Sequence, residues 1–112
     1  MENATLTELR RTLANLAASP DRQREYLRHL GVNGLVDELA LEFDDAYRPA
    51  ATQLDNRVPE VGVACRELDR MLSDDELDWD PDALEGEPWA NVRSLASGIL
   101  DLLDARSREF DV

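Results

Sequence analysis

A row of apolar residues at spacings of three and four runs through the middle of this chain. Its members are Val36, Ala40, Phe43, Tyr47, Ala50, Leu54, Val58, Val61, Cys65, Leu68 and Leu72. The row covers about ten turns at roughly 3.6 residues per turn, so it can form one helical stripe. Pro49 and Pro59 interrupt it, because a proline removes a backbone hydrogen bond and crowds the preceding turn. The pattern predicts two helices, 34–48 and 57–73, with a kinked or looser segment 49–56 between them and Asn56 as a cap of the second.

The sequence before this stripe predicts two shorter helices. The first has a leucine face formed by Leu6, Leu9, Leu13 and Leu16. Thr5 and Glu8 have the spacing of a capping box at its start. Ser19, followed by a proline and an aspartate, is typical of the start of a second helix, which Gly31 ends. We expect these two helices to form an antiparallel hairpin.

The sequence after the stripe predicts a short turn of helix and then a long one. The short helix begins at Asp80 and ends at Gly86. The long helix covers 88–108 and has an apolar face of Trp89, Val92, Leu95, Ala96, Ile99, Leu102 and Leu103. No alternating strand pattern is visible. We therefore predict an all-α fold, in which residues 1–112 form one compact bundle of about five helices with an acidic, tryptophan-containing loop before the last.

The charge of the chain is strongly acidic and unevenly distributed. The 112 residues include 25 acids and 12 bases, for a formal net charge of −13. Residues 1–31 hold five arginines and four acids, whereas residues 32–112 hold seven arginines and 21 acids. An acidic surface repels nucleic acid and anionic membranes and attracts a basic protein. Solubility alone or salt adaptation would produce the same composition.

The most acidic segment, SDDELDWDPDALEGEPW at residues 73–89, carries eight carboxylates, two tryptophans and no base. Oxygen-bearing side chains recur from Asp74 at the spacing of an EF-hand calcium loop, but Trp79 stands where that loop needs glycine. We therefore predict no calcium site and no cofactor. Trp89 is predicted to lie in the core. Trp79, between Asp78 and Asp80, is either a second core residue or an aromatic anchor for an arginine-rich partner.

A second acidic segment, DELALEFDD, covers residues 37–45. On a helix its apolar residues share one face, except Leu41, which points away from them. The acids flanking Leu41 are Asp37, Glu38, Asp44 and Asp45. A single exposed leucine is ordinary in soluble proteins. The alternative is an apolar centre inside an acidic ring, which would suit a basic partner with an apolar patch.

Residues suited to catalysis are sparse. Cys65, the only cysteine, lies on the apolar stripe and is predicted to be buried and inert. His29, the only histidine, lacks the glutamate three residues earlier that a di-iron bundle site requires. Carboxylates on an outward helix face remain solvated and lack the shifted pKa of a glycosidase acid. We predict that the protein is not an enzyme.

The remaining features concern location and the arginines. The N-terminus has no signal-peptide pattern and no stretch has the length of a membrane span, so a cytoplasmic protein is expected. Five arginines in residues 1–31 are too few for a nucleic-acid surface on a chain of this charge. We expect them to pair with the acidic half instead.

Two runs, QREYLRHLGVNGLVDELALEFDDAY and WDPDALEGEPWANVRSLASGIL, resemble small acidic helical proteins of actinobacteria. Some of these belong to toxin–immunity pairs, so the resemblance implies a helical protein that inhibits a basic toxin. From the residues themselves we predict a partner-binding surface formed by Leu41, Trp79, Asp37, Glu38, Asp44, Asp45, Asp74, Asp75, Asp78 and Asp80. The alternative is a structural or adaptor module that forms a homodimer through the 36–72 stripe.

Overall fold

The computed structural model describes residues 4–31 and 36–110, with side chains described through Arg106. Five α-helices and one short 3₁₀ helix follow one another along the chain. They are α1 (Ala4–Ala17), α2 (Pro20–His29), α3 (Asp37–Arg57), α4 (Pro59–Leu72), the 3₁₀ helix (Pro81–Glu85) and α5 (Glu87–Phe110). The described residues contain no strand. The prediction of an all-α bundle of about five helices is confirmed.

The boundaries of α1 and α2 follow the sequence signals in part. Ser19 caps α2, since its hydroxyl oxygen accepts a hydrogen bond from the backbone N–H of Arg22 at 3.3 Å. Gly31 follows α2 with a φ of 78°, the left-handed conformation that favours glycine. The predicted capping role of Thr5 is wrong, because α1 begins at Ala4 and Thr5 already lies inside its first turn.

Helix α3 is continuous through Pro49 to Arg57, so the prediction that 49–56 forms a looser segment between two helices is wrong. A proline inside a helix leaves the carbonyl four residues earlier, here that of Asp45, without its hydrogen bond. Both Asp45 and Pro49 lie on the exposed side of α3, where water can bond that carbonyl. Because the loss falls on the solvent side, the apolar side of the helix continues without interruption.

The helical run ends instead at Val58, between α3 and α4. Val58 has φ −138° and ψ 69°. Pro59 is the first residue of α4, where a backbone N–H has no partner within the helix, so a proline costs no hydrogen bond there. The predicted cap at Asn56 is wrong, because Asn56 still belongs to the last turn of α3. Val58 stands at the cap position without a side-chain hydrogen bond.

The apolar stripe of the sequence forms the centre of the core. All its members are buried except Ala40 and Tyr47, which are partly buried and pack against the core. Helix α1 packs on α3 and α5, and α4 packs on both α3 and α5. The stripe of α3 and α4 is therefore covered by the protein's own helices.

Helices α1 and α2 are joined by side chains in antiparallel order. Gln23 donates from Nε2 to the carbonyl oxygens of Asn15 and Leu16, both at 3.1 Å, and farther along Arg11 donates to the hydroxyl of Tyr26 at 3.2 Å. The predicted hairpin is present in this sense, although the extensive packing of α1 is with α3 and α5.

The apolar face of α5 differs from the prediction at one end. Trp89, Val92, Ala96, Ile99 and Leu103 are buried and Leu95 is partly buried. Leu102 is wrongly predicted as buried: it is 37% exposed, because the buried line runs through its neighbours at 99 and 103. Within the described residues, no helix combines the length and the apolarity needed to cross a membrane.

Candidate functional site

Leu41 lies on the outward face of α3 with 52% of its surface exposed. Asp37 and Asp45, one helical turn away on either side, are exposed as well. Residues four apart on a helix are neighbours on its surface, so the three side chains form one row. We call this row the α3 patch. It presents an apolar side chain between two carboxylates, as the sequence predicted for Leu41.

The other two acids predicted around Leu41 differ in their surroundings. Asp44 is partly buried and forms an ion pair with Arg48, with 2.8 Å between Asp44 Oδ2 and Arg48 Nε. Glu38 is also partly buried and lies in the first turn of α3, where a negative charge complements the helix dipole. Asp37, in the same first turn, and Asp45 are the exposed acids beside Leu41, and neither forms an ion pair among the described residues.

A polar contact that the sequence did not reveal holds the start of α3 against α1 and α2. The hydroxyl of Tyr26 donates to Glu42, 2.7 and 2.8 Å from its two carboxylate oxygens, and accepts from Arg11. Burial, followed by the bond to Glu42, raises the pKa of Tyr26 above its usual range. These bonds link three helices and fix the orientation of the α3 patch.

The acidic loop between α4 and the 3₁₀ helix uses its aspartates to bond its own backbone. The carboxylates of Asp74, Asp78 and Asp80 each accept a hydrogen bond at 2.9 Å from the N–H two residues later. These are Asx turns, which replace the regular hydrogen bonds that a loop lacks. Asp75 is exposed. No group of three His, Cys, Asp or Glu in the described part of the chain is arranged to hold a metal ion.

The two tryptophans join this loop to the core. Trp89 is fully buried, and its Nε1–H donates to the carbonyl oxygen of Asp78 at 2.9 Å. Trp79 is partly buried and meets Trp89 edge-to-face, with ring centroids 5.7 Å apart and an interplanar angle of 74°. The core prediction for Trp89 is confirmed. Trp79 combines both of its predicted environments, since one part packs on Trp89 and the rest is accessible.

The register of α3 against α4 brings the two acidic segments to the same end of the bundle. Near the connecting turn, Asp55 pairs with Arg66 at 2.7 Å, and farther from the turn Tyr47 lies within electrostatic reach of Asp69. Earlier residues of α3 thus face later residues of α4, which is antiparallel packing. In antiparallel packing the start of α3 and the end of α4 lie at the same end of the helix pair, so the segment 37–45 and the loop 73–80, which follows α4, are at that end. We call these two segments together the acidic end.

A groove lies between the end of α4, the acidic loop and the start of α5, with a volume of about 560 Å³. We call it the α4–α5 groove. Its polar residues are Glu67, Arg70, Asp74, Glu76, Glu87 and Asn91, and its apolar residues are Met71, Leu77, Pro88 and Val92. Only Asp74 was among the predicted site residues. The sequence signal for the groove was the helical spacing within two sets of residues: Glu67, Met71 and Asp74, and Glu87 and Asn91. That these two sets meet follows only from the packing of the helices.

The arginines of α1 and α2 pair with acids of the later helices. Arg10 forms an ion pair with Asp104 of α5. Arg24 lies 3.1 Å from a carboxylate oxygen of Glu85 and donates to the carbonyl of Pro81 at 3.0 Å. The expected pairing with the acidic half of the chain is confirmed for these two arginines. They attach α1 and α2 to the rest of the bundle.

Cys65 is fully buried in the core stripe. Burial raises the pKa of its thiol to about 12, because a thiolate would lose its hydration there. The thiol is therefore neutral at physiological pH and has no access to solvent. The prediction that Cys65 is a buried, small apolar residue is confirmed.

Comparison with protein families, with curated proteins and with solved structures finds no match for the chain.

Proposed function

We propose that the protein is a non-enzymatic binding protein of the immunity or inhibitor type, which uses its acidic end to capture a basic protein such as a toxin. The observation that carries the proposal is the α3 patch: Leu41 is 52% exposed and stands between two exposed carboxylates. A large apolar side chain in an acidic setting suits an interface in which a basic rim surrounds an apolar contact.

The distribution of charge supports the same partner. Asp37, Asp45 and Asp75 are exposed and take part in no ion pair among the described residues. Uncompensated acids on one end of a small protein accelerate encounter with a basic surface and disfavour acidic partners. A toxin that acts on nucleic acid needs a basic cleft, and an acidic helical face is complementary to such a cleft.

In this proposal Leu41 and Trp79 are the apolar anchors, and the acids beside them steer the partner. Anchors in the centre of an interface dominate its energy, so replacing Trp79 with alanine should weaken binding by more than about 2 kcal/mol. Trp79 also packs on Trp89, however, so that substitution changes the fold as well as the surface. Leu41 is the better probe, because it is exposed and its replacement disturbs little packing.

The second hypothesis, a homodimer through the 36–72 stripe, has less support. The stripe residues of α3 and α4 are buried within one chain, and α1 and α5 already cover them. A second copy could reach them only if the core opened. We therefore prefer a partner that binds the exposed acidic end.

The test is capture of a partner by purified full-length protein from the lysate of its native host. Capture is measured at low ionic strength and at about 150 mM salt, where exposed charge pairs are screened. We expect a basic protein that is retained by the wild type, is lost with Leu41→Ser, and binds more slowly as salt is raised. Addition of an equimolar amount of the wild type should then inhibit that partner's activity.

The matched control is Val63→Ser. Val63 is 57% exposed on α4, and it lies toward the opposite end of the α3–α4 hairpin from the acidic end. Both variants lose one exposed apolar side chain, but only Leu41→Ser changes the proposed surface. Equal retention of the partner by the two variants would contradict the proposal, as would capture of an acidic protein with no dependence on salt.

A further inference from the structure

The α4–α5 groove has an excess of negative charge that its own residues do not balance. Glu67 and Arg70 bind each other, with 2.9 Å between Arg70 Nε and Glu67 Oε2. One oxygen of Asp74 accepts the N–H of Glu76. The side chains of Glu76 and Glu87 form no ion pair or hydrogen bond within the described residues. The groove lining has four carboxylates against the single cation Arg70, which pairs with Glu67 and also lies within electrostatic reach of Asp74, so its net charge is −3.

The apolar residues of the groove belong to the edge of the core. Val92 is 1% exposed and Leu77 is 7% exposed, so both are fixed in position by packing. Met71 is partly buried beside them, and its flexible thioether can adapt to an occupant. The volume of about 560 Å³ falls in the range of roughly 300–1,000 Å³ that is typical of ligand sites. The groove thus combines an apolar floor with an anionic rim.

An occupant that matches both parts has an apolar stem and a cationic head. The carboxylates come from two segments, Glu76 from the loop and Glu87 from the start of α5. A guanidinium has five N–H donors in a rigid plane and can bond more than one acceptor, whereas an ammonium is a compact and strongly hydrated charge. The methylene stem of an arginine can lie along Met71 and Leu77 while its head reaches the rim.

We infer that the α4–α5 groove receives an arginine side chain that the basic partner projects into it. This inference rests on the proposed function for the partner itself, and it adds the place and the chemistry of one contact. The groove shares Asp74 with the acidic loop, so it adjoins one of the two segments of the acidic end.

The experiment uses the full-length, ¹⁵N-labelled protein and N-acetyl-arginine amide as a probe in an NMR titration. A single arginine side chain without the rest of an interface is expected to bind in the millimolar range. We expect saturable shifts that concentrate on the backbone amides of Leu77 and Val92 and on the side-chain amide of Asn91. N-acetyl-citrulline amide, which has the same shape without the charge, should produce no saturable shift.

Two kinds of variant separate a seated ligand from general attraction by charge. Glu76→Gln combined with Glu87→Gln should weaken binding about fivefold, as expected for two partly exposed charge pairs. The matched control, Glu25→Gln combined with Asp101→Asn, removes the same charge from exposed acids outside the groove and should leave binding unchanged. Asn91→Phe fills the groove without changing the charge and should abolish binding.

Three outcomes would overturn the inference. These are equal weakening by the two double variants, full binding by Asn91→Phe, and equal or tighter binding of N-acetyl-lysine amide or spermidine at the same residues. Failure here is distinguishable from failure of the proposed function. If the probe does not bind but Leu41→Ser still abolishes capture of the partner, the acidic end remains the interface and only the groove loses its role.

Discussion

The indole N–H of Trp89 reaches out of the core to the carbonyl oxygen of Asp78, 2.9 Å away, in the middle of the most acidic loop of the chain. Trp79, which follows Asp78 in the chain, packs edge-to-face on the indole of Trp89. This hydrogen bond, the ring contact and the buried side chain of Leu77 attach the loop to the bundle, while its aspartates bond the backbone locally. A segment with eight carboxylates obtains a defined shape in this way.

Replacing Trp79 with alanine should lower the free energy of unfolding by about 1–3 kcal/mol, through lost burial and a lost aromatic pair. Urea denaturation followed by far-UV circular dichroism measures this difference. Leu41→Ala is the control, because Leu41 is exposed and its substitution should stay within about 0.5 kcal/mol of the wild type. Unchanged stability of the Trp79→Ala variant would mean that the ring contact contributes nothing and that Trp79 is available entirely to a partner.

Replacing Pro49 with alanine should stabilise the protein by about 1–2 kcal/mol. The substitution restores a hydrogen bond to the Asp45 carbonyl and removes the crowding of the preceding turn, and greater freedom of the unfolded chain offsets part of that gain. Thermal and urea unfolding of the variant measure the effect. Pro59→Ala is the matched control: Pro59 opens α4, so its replacement restores no bond and should give no gain. Equal effects of the two substitutions would show that Pro49 causes no strain within α3.

Replacing Gly98 with alanine should raise the free energy of unfolding by about 0.5–1 kcal/mol, since glycine is a poor helix former. Gly98 lies inside α5, and a Cβ there would meet no atom within 4 Å. Gly62→Ala is the comparison, because a Cβ at Gly62 would stand 2.5 Å from Oδ1 of Asp55. Asp55 would then have to turn away from Arg66, so the gain should be smaller or absent. Calorimetric melting temperatures decide between these expectations.

The contribution of Glu60 to stability should depend on pH. Its pKa is held below the usual range, first by the hydrogen bond from its own backbone N–H at the start of α4 and then by Arg106. A carboxyl whose folded pKa is depressed contributes stability above its unfolded pKa of about 4.3, and that contribution disappears as the pH falls through the folded value. Glu60→Gln should therefore be less stable than the wild type near neutral pH.

Denaturant curves of both proteins at about pH 7 and about pH 3 test this linkage, and the difference between them should shrink in acid. Glu25→Gln, which removes an exposed acid of α2, controls for the change in net charge. A difference between wild type and Glu60→Gln that is as large in acid as at neutral pH would exclude an electrostatic origin.

The sequence was sufficient for most of the fold because one helical period runs through the stripe from Val36 to Leu72. It predicted most of the buried side chains of the long helices, with Leu102 as an exception, since burial depends on position along a helix face. It misplaced the break between α3 and α4. The low helix propensity of proline indicates that a proline inside a helix destabilises it, but not whether water can bond the backbone carbonyl that loses its hydrogen bond. At Pro49 the exposed side of α3 makes the proline tolerable, and that fact depends on the packing of the other face.

The candidate site was predictable where it depends on a single helix. The exposure of Leu41 and its neighbours Asp37 and Asp45 follows from the helical period alone. The pairing of Asp44 with Arg48 has a four-residue spacing and was also accessible in principle. The α4–α5 groove was not, because its residues come from α4, the loop and α5 and meet only through tertiary packing.

The buried thiol of Cys65 can report transient opening of the protein core. No other cysteine is present, and this one reacts with a thiol reagent only while the helices around it are parted. The labelling rate under native conditions therefore measures rare openings of the core without a denaturant or an engineered cysteine. Slower labelling of Cys65 in the presence of a bound partner would measure how far binding at the acidic end suppresses transient opening of the bundle.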